Sequence, residues 1–585
     1  MPASAPGTEA SLPGWSAVVG TARSKVAELA LETGVHLASV LGLVLLAAAP
    51  GAGLRWGGAV LGLSAALATA WLLRRAAARG TALLGELVGP RLVLVVAVAV
   101  GYLLRRPGDQ AWVWTAAGLG LLAVLSETTL ALTLARTTQV AVNLPGVPRV
   151  PEPPFPLAAP VWASLALVLG GALLAALAAP GWACLVLAGL VALVTVVLAV
   201  HAVRATAATT RAARRLRPAL EAYQPAFAVY YAAAHGARYQ LGMWLPYLER
   251  LGRPFVVVTR NASTVPVITE LTSAPVVVPR TSGSVGGLDS VVVDSLKAAF
   301  YVQGSSQNAY FQRYRGLTHV WLNHGDSDKA ANYSARHATY DKVFVSGQQG
   351  VERYAAHGVR VPPKKFAVVG RPQVERIEVH DEPPAPDRPR TVLYAPTWRG
   401  GRPATNYSSL PLGEEIVAGL LRHAATVVFR PHPLSYTEPE DAAVIARIQS
   451  LLRADRDESG RAHLWGAAAE QERDIPDCIN AVDALVTDVS SVASDFLASG
   501  KPIAMVAVRA SGRAFRQEFP MARVSYVIER DLFTLDAALS DLLGPDPLAA
   551  ERRAYRRHCL GEHVGPAAAE EFLRVAGRIV SGEKV

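Results

Sequence analysis

The sequence predicts an α-helical transmembrane domain followed by an α/β part built of two parallel-sheet lobes. Three observations carry this reading. The chain has 585 residues, more than one hydrophobic core usually organises. Its mean hydropathy of +0.25 is high for a soluble enzyme, and the apolar residues concentrate before about residue 203. From about Tyr223 onward, short β-branched runs alternate with amphipathic stretches, the pattern of parallel α/β domains.

Six apolar stretches suit bilayer-spanning helices: residues 35–52, 54–73, 88–104, 111–135, 158–179 and 182–203. Residues 1–33 read as an N-terminal cytoplasmic tail without a signal peptide, 34–204 as the membrane domain and 205–222 as a basic juxtamembrane segment. Arg23, Lys25, Arg74, Arg75, Arg79, Arg136, Arg149, Arg204, Arg211, Arg214, Arg215 and Arg217 fall on one side, against Arg55, Arg105 and Arg106 on the other. Basic residues favour the cytoplasm, so both termini and the α/β part are expected there, at the cell membrane. Glu127 is the one ionisable residue expected deep in a span, as a helix–helix hydrogen bond or a headgroup neighbour. The net charge of +10 is concentrated in arginine clusters beside apolar segments, which points to an anionic membrane surface rather than nucleic acid. Cys184, Cys478 and Cys559 have no zinc-type spacing and support neither a disulfide framework nor a cysteine metal site.

The first lobe, residues 223–380, is expected to hold strands at "AFAVYYA", "PFVVVTR", "APVVVPR", "AAFYVQ", "THVWLNH" and "KVFVSG". A proline-rich linker, 381–389, separates it from the second lobe, 390–585, with strands at "TVLYAP", "ATVVFRP", "DALVTD" and "PIAMVAV". Two Rossmann-like lobes in tandem place ligands beyond the carboxyl ends of the strands, so chemistry should cluster there.

Four strand ends carry reactive or phosphate-seeking groups. "WLNHGDSDK" sets His324, Gly325 and Lys329 after a strand, where a histidine can take a proton and a glycine admits close approach. An ordinary hydrogen-bonded loop would look the same. "YAPTWR" ends a strand with Thr397 and Arg399, and "FRPHP" ends the next with Arg430 and His432 between stiffening prolines. "TDVSSVASDF" brings Thr487, Asp488, Ser490 and Ser491 to the start of a helix, where orphan N–H groups favour an anion such as a diphosphate. Plain N-capping by Ser or Asp is the alternative.

These four motifs in this order resemble the CDP-glycerol glycerophosphotransferase family of teichoic acid polymerases and primases. The likeness runs roughly from Phe227 to Val580 and includes the closing "VGPAAAEEFLRVAGRIV"; the membrane domain lies outside it. The resemblance implies the glycosyltransferase-B architecture and transfer of a polyol phosphate from a CDP-linked donor to a membrane-associated acceptor hydroxyl, releasing CMP, in cell-wall polymer synthesis. Carried over by position, His324 is the implied general base, while His432, Thr487, Ser490 and Ser491 surround the donor diphosphate. Asp495 matches a family aspartate that could equally brace its helix. The sequence departs from the family where "HGDSDK" replaces "HGTPLK", where "GRPQVE" (Gly370 to Glu375) replaces "GYPRND", and where Val489 replaces the tyrosine of "TDYSS", which leaves the polyol open. No cofactor is implied; a divalent metal is possible but not implied, and Asp326 with Asp328 beside His324 is the one candidate pair worth naming. Two other readings fit the same architecture: a nucleotide-sugar transferase or UDP-sugar epimerase, and an export or scaffold protein with nucleotide-binding lobes.

Overall fold

A computed structural model of the chain describes residues 15–279, 285–323, 332–380, 389–401, 403–583 and 585. Its backbone divides into two compact units, Met1–Val140 with Pro148–Arg214, and Ala141–Val147 with Arg215–Val585.

The first unit is helical: α1 (Trp15–Ala48), α2 (Ala52–Ala78), α3 (Val88–Arg105), α4 (Gln110–Leu134), α5 (Ala159–Ala176) and α6 (Gly181–Tyr223). All six carry stretches long and apolar enough to cross a membrane. Their surfaces explain why: Leu37, Leu41, Trp56, Leu63, Leu122, Leu173 and Leu190 are exposed, as lipid-facing residues must be, while Leu94, Val95, Val124, Val161 and Val168 are buried among the helices. α1 and α2 cross closely at Gly42 and Gly58, where a Cβ on Gly58 would lie 2.8 Å from the Gly42 carbonyl.

Two expectations change here. α1 starts at Trp15, inside the stretch read as a tail. Glu127 does not stand alone, because Arg91, in the first turn of α3, is equally buried and forks onto both carboxylate oxygens at 2.6 and 2.8 Å. Arg91 also donates to Ser164 of α5 at 2.8 Å, so one ion pair ties three helices. Hydropathy missed it because Arg91 sits at the edge of an apolar run. α6 is about 65 Å long, roughly twice a membrane's hydrocarbon core. Over the basic segment its Ala205, Ala208, Ala212, Leu216 and Leu220 form a buried stripe while Arg211, Arg214 and Arg215 stay exposed, so the segment is an amphipathic helix.

The second unit holds two sheets. In the first lobe the strands are β1 (Ala141–Val142), β2 (Phe227–Tyr231), β3 (Phe255–Thr259), β4 (Val276–Val277), β5 (Ala298–Tyr301), β6 (Thr318–Trp321), β7 (Lys342–Val345) and β8 (Phe366–Val368). Their order is β1-β4-β3-β2-β5-β6-β7-β8, parallel except for β1. The second lobe has β9 (Thr391–Ala395), β10 (Thr426–Phe429), β11 (Ala484–Thr487), β12 (Ile503–Ala507) and β13 (Tyr526–Glu529) in the all-parallel order β10-β9-β11-β12-β13. All ten expected strands are present. β2, β3, β5, β11 and β12 are buried on both faces, which is why they read as unbroken apolar runs. β1, β8 and β13 lie at or beside sheet edges, and the first two are too short to stand out in sequence.

Both expected boundaries shift. Ala141–Val147, placed in the membrane domain, supplies an edge strand to the α/β unit, with Ala141 opposite Val277. The chain end does not stay in the second lobe: helix Glu570–Val580 inserts Phe572, Val575, Ala576 and Ile579 into the first-lobe core beside Phe227, Trp244 and Phe344. Its apolar face explains the return, since those residues recur at helical spacing and bury together.

Candidate active site

Each sheet has a point where the strand order reverses, β2/β5 in the first lobe and β9/β11 in the second, and ligands of such sheets bind outside the carboxyl ends there. At β9/β11 the loops are stitched to one another. The Thr487 hydroxyl donates to the Ala395 carbonyl at 2.6 Å, and Asp488 accepts the Thr397 backbone N–H at 2.6 Å. From β10, the backbone N–H of His432 donates to the Pro396 carbonyl at 3.2 Å. Thr397, His432, Thr487, Asp488 and Ser490 therefore share one rim, although they are spread over 94 positions of sequence.

Their individual roles differ from the sequence expectation. Thr487 and Asp488 are fully buried, so both brace the rim instead of presenting their side chains to a ligand. Ser490 is the N-cap of helix Ser491–Leu497, but its side chain makes no capping bond and lies 3.2 Å from the Thr487 hydroxyl. That leaves the first-turn backbone N–H groups of the helix uncapped by Ser490. The Tyr239 phenol of the first lobe has Ser491, Arg371 and Asp495 as its electrostatic neighbours, and burial raises its pKa above the usual value.

His432 accepts the Leu434 backbone N–H on Nδ1 at 3.1 Å. That bond assigns the proton of the neutral ring to Nε2, which is then a donor, as a phosphate oxygen requires. The ring stacks near Trp398, centroids 6.1 Å apart.

Three charged candidates are engaged elsewhere. Arg399 forks onto Asp441 at 2.5 and 3.0 Å, and Arg430 donates to the backbone carbonyls of Arg473, at 2.8 Å, and of Ala469. Both arginines thus hold second-lobe helices to the strand ends. Asp495 pairs with Arg371, a buried residue of "GRPQVE" in the first lobe, so this aspartate latches one lobe to the other.

On the first-lobe side, His324, Gly325, Lys329, Asp326 and Asp328 lie outside the described residues. Their flanks are defined. Asn323, which follows β6, holds φ +64°, a conformation uncommon for a residue with a Cβ. Its side-chain amide donates to Asn332 at 2.7 Å, joining the two ends of the segment, and its carbonyl accepts the Trp244 indole N–H at 2.5 Å. A small cleft beyond β6 and β7 is lined by Trp321, Asn323, Asn332, Arg353, Tyr354 and Arg371. Behind it, His337 stacks on Trp321 and bonds the Tyr354 hydroxyl at 2.7 Å; burial pushes its pKa down to about 4. Asn323, Asn332, Tyr239 and Arg371 are the residues that sequence reasoning missed. Only Arg371 carried a signal, as the departure inside "GRPQVE". Among the described residues no group of three His, Cys, Asp or Glu side chains gathers as a metal site.

Comparison with known proteins shows what the stretch carrying this rim is similar to. Residues 295–510 match the family described as CDP-Glycerol:Poly(glycerophosphate) glycerophosphotransferase, a stretch that contains every site residue named from the sequence. The chain is 24% identical over 225 residues to the teichoic acid ribitol-phosphate polymerase TarK of Staphylococcus aureus, covering 36% of this chain and 40% of that one. It thus spans about two fifths of the length of the curated relative it matches. Among solved structures, the wall teichoic acid polymerase TagF is similar at 13% identity and a TM-score of 0.39, covering 64% of this chain and 94% of that one. A putative UDP-N-acetylglucosamine 2-epimerase from Listeria monocytogenes is similar at 13% identity and a TM-score of 0.40, covering 61% and 97%. The resemblance read from the motifs is matched in these comparisons: residues 295–510 are similar to the CDP-glycerol glycerophosphotransferases, and in this chain six apolar helices precede them.

Proposed function

We propose that this protein is a membrane-bound transferase that moves a polyol phosphate from a CDP-linked donor to the hydroxyl of a membrane-associated polymer acceptor. The observation that carries the reading is the stitched rim at β9/β11, where His432 Nε2–H and the first N–H groups of helix Ser491–Leu497 border the same switch point. Such a rim suits a diphosphate, because donors fixed before the substrate arrives stabilise charge without reorganising.

In the proposed reaction the acceptor oxygen attacks the distal phosphorus of the donor. A new P–O bond forms, the bond to the bridging oxygen breaks, and CMP leaves with that oxygen. His324 takes the acceptor proton, and His432 donates to the diphosphate. In-line transfer of this kind needs alignment and charge stabilisation more than covalent help. Arg371–Asp495 would hold the two lobes at the spacing the transfer needs. The arginine asymmetry of the apolar helices supports lobes on the cytoplasmic face, where nucleotide-activated donors are found.

Release of CMP by the detergent-solubilised protein from CDP-glycerol or CDP-ribitol, with no release of UDP or UMP from UDP-sugars, is the expected result. Turnover or thermal protection by UDP-sugars alone would replace this reading with the nucleotide-sugar one. A reporter fused after Val585 that works only outside the cell would reject the orientation.

A further inference from the structure

The helical unit contains a groove that phosphate transfer does not use. It opens among α1, α2, α3 and α5 and encloses roughly 1310 Å³ of space continuous with its surroundings. Small side chains make the room: Ala59, Gly62 and Ala66 of α2, Ala97 and Gly101 of α3, and Ala172 of α5. A Cβ placed on Gly62 would meet nothing within 4 Å.

The lining is apolar except at one end, where Arg55 of α2 and Arg105 of α3 meet it, and among the described lining residues no carboxylate balances them. Each arginine is held by a carbonyl at the end of another helix: Arg55 Nε donates to Ala49 at 2.9 Å, and Arg105 Nη1 donates to Ala176 at 2.8 Å. The Arg105 guanidinium also lies over the Trp56 ring, 5.4 Å from its centroid. A guanidinium has five donors, so two fixed cations with donors to spare stand over an apolar trough. That is the complement of an amphiphile with an anionic head.

Depth selects among such amphiphiles. Along α2 the lining runs from Ala52 to Ala66, about 21 Å, and along α3 from Leu94 to Arg105, about 16 Å. Half of a hydrocarbon core of about 30 Å is about 15 Å. The trough thus matches the chains of one leaflet, and a long isoprenoid would outrun it.

We propose that this groove binds one anionic glycerophospholipid, its phosphate on Arg55 and Arg105 and its acyl chains along Gly62 and Gly101. The site is independent of the transfer rim and stands whether or not the proposed reaction does.

The test is native mass spectrometry of the full-length, delipidated protein titrated with phosphatidylglycerol or phosphatidylcholine of identical acyl chains. Phosphatidylglycerol should be retained at one per chain with a preference on the order of tenfold to thirtyfold, the worth of two arginines near a lipid phosphate. Arg55→Gln with Arg105→Gln should abolish the preference. Gly62→Leu, which fills open space, should lower retention of both lipids while CMP release continues. Equal retention of the two lipids by the wild type, or a preference that survives the double substitution, would overturn the proposal. So would displacement of phosphatidylglycerol by an equimolar polyisoprenyl phosphate.

Discussion

The two carboxyl edges in the α/β unit are built differently. The second-lobe rim is stitched through buried groups: Thr487 to Ala395, Asp488 to Thr397, His432 to Pro396. The first-lobe edge is tied at its ends, by Asn323 to Asn332 and Trp244 to Asn323, and backed by buried histidines, His319 against Tyr301 and His337 against Tyr354. One edge is a rigid frame of short hydrogen bonds around backbone donors. The other is an aromatic wall, with Asn323 bonded to Asn332 beside it. A frame of fixed donors suits a ligand that is always the same, such as a nucleotide diphosphate.

The strongest way to break this contrast is at His324. His324→Ala should lower kcat by roughly 10² to 10⁴, the usual worth of a positioned base, with an intact fold by circular dichroism. Near-normal turnover would remove the base from the first lobe. Next is the latch between edges. Asp495→Ala leaves the buried Arg371 without that carboxylate, and chemical denaturation should show a loss of about 3 kcal/mol. A double-mutant cycle with Arg371→Leu should recover part of it; strict additivity would mean the pair does not couple the lobes.

Acid sharpens the contrast between the edges. Burial holds His337 at about 4 in the folded state, below the unfolded value of about 6.5, and lowers His319 in the same direction. For His337 the neutral form is favoured by folding, so its contribution is complete above pH 6.5, falls as pH drops from 6.5 towards 4, and is gone below that. The first lobe should therefore loosen before the second in hydrogen exchange between pH 6.5 and 4, and His337→Phe should flatten that dependence. Smaller still is the frame itself. Ser490→Ala with Ser491→Ala should raise the donor KM severalfold with little change in fold, because the backbone donors remain. An unchanged KM would return both serines to a capping or lobe-contact role.

How much of this was legible in sequence depended on burial. The ten expected strands announced themselves because both faces of a parallel sheet are covered, as in Phe255–Thr259 and Ile503–Ala507. Ala141–Val142 was invisible because two residues inside an otherwise membrane-associated stretch show no period. The return of Glu570–Val580 to the first lobe could not be read either, since an amphipathic helix shows which face it buries but not against what. In the site, motif position located the rim, yet the motif did not tell a ligand from a brace. Arg399 and Arg430 have phosphate-seeking side chains, and only the distances to Asp441 and to the Arg473 carbonyl show that they hold helices. The Arg91–Glu127 pair was half seen, because its two halves lie 36 positions apart and only one sits mid-span.

In the proposed reaction the donor diphosphate belongs to the second-lobe rim and the proton acceptor is His324 of the first lobe. Calorimetric binding of CDP-glycerol to the His432→Ala and His324→Ala proteins tests it most directly. Donor affinity should weaken about tenfold in His432→Ala, the worth of one charge-assisted hydrogen bond, and stay nearly unchanged in His324→Ala. Wild-type affinity in His432→Ala, or lost affinity in His324→Ala, would contradict it.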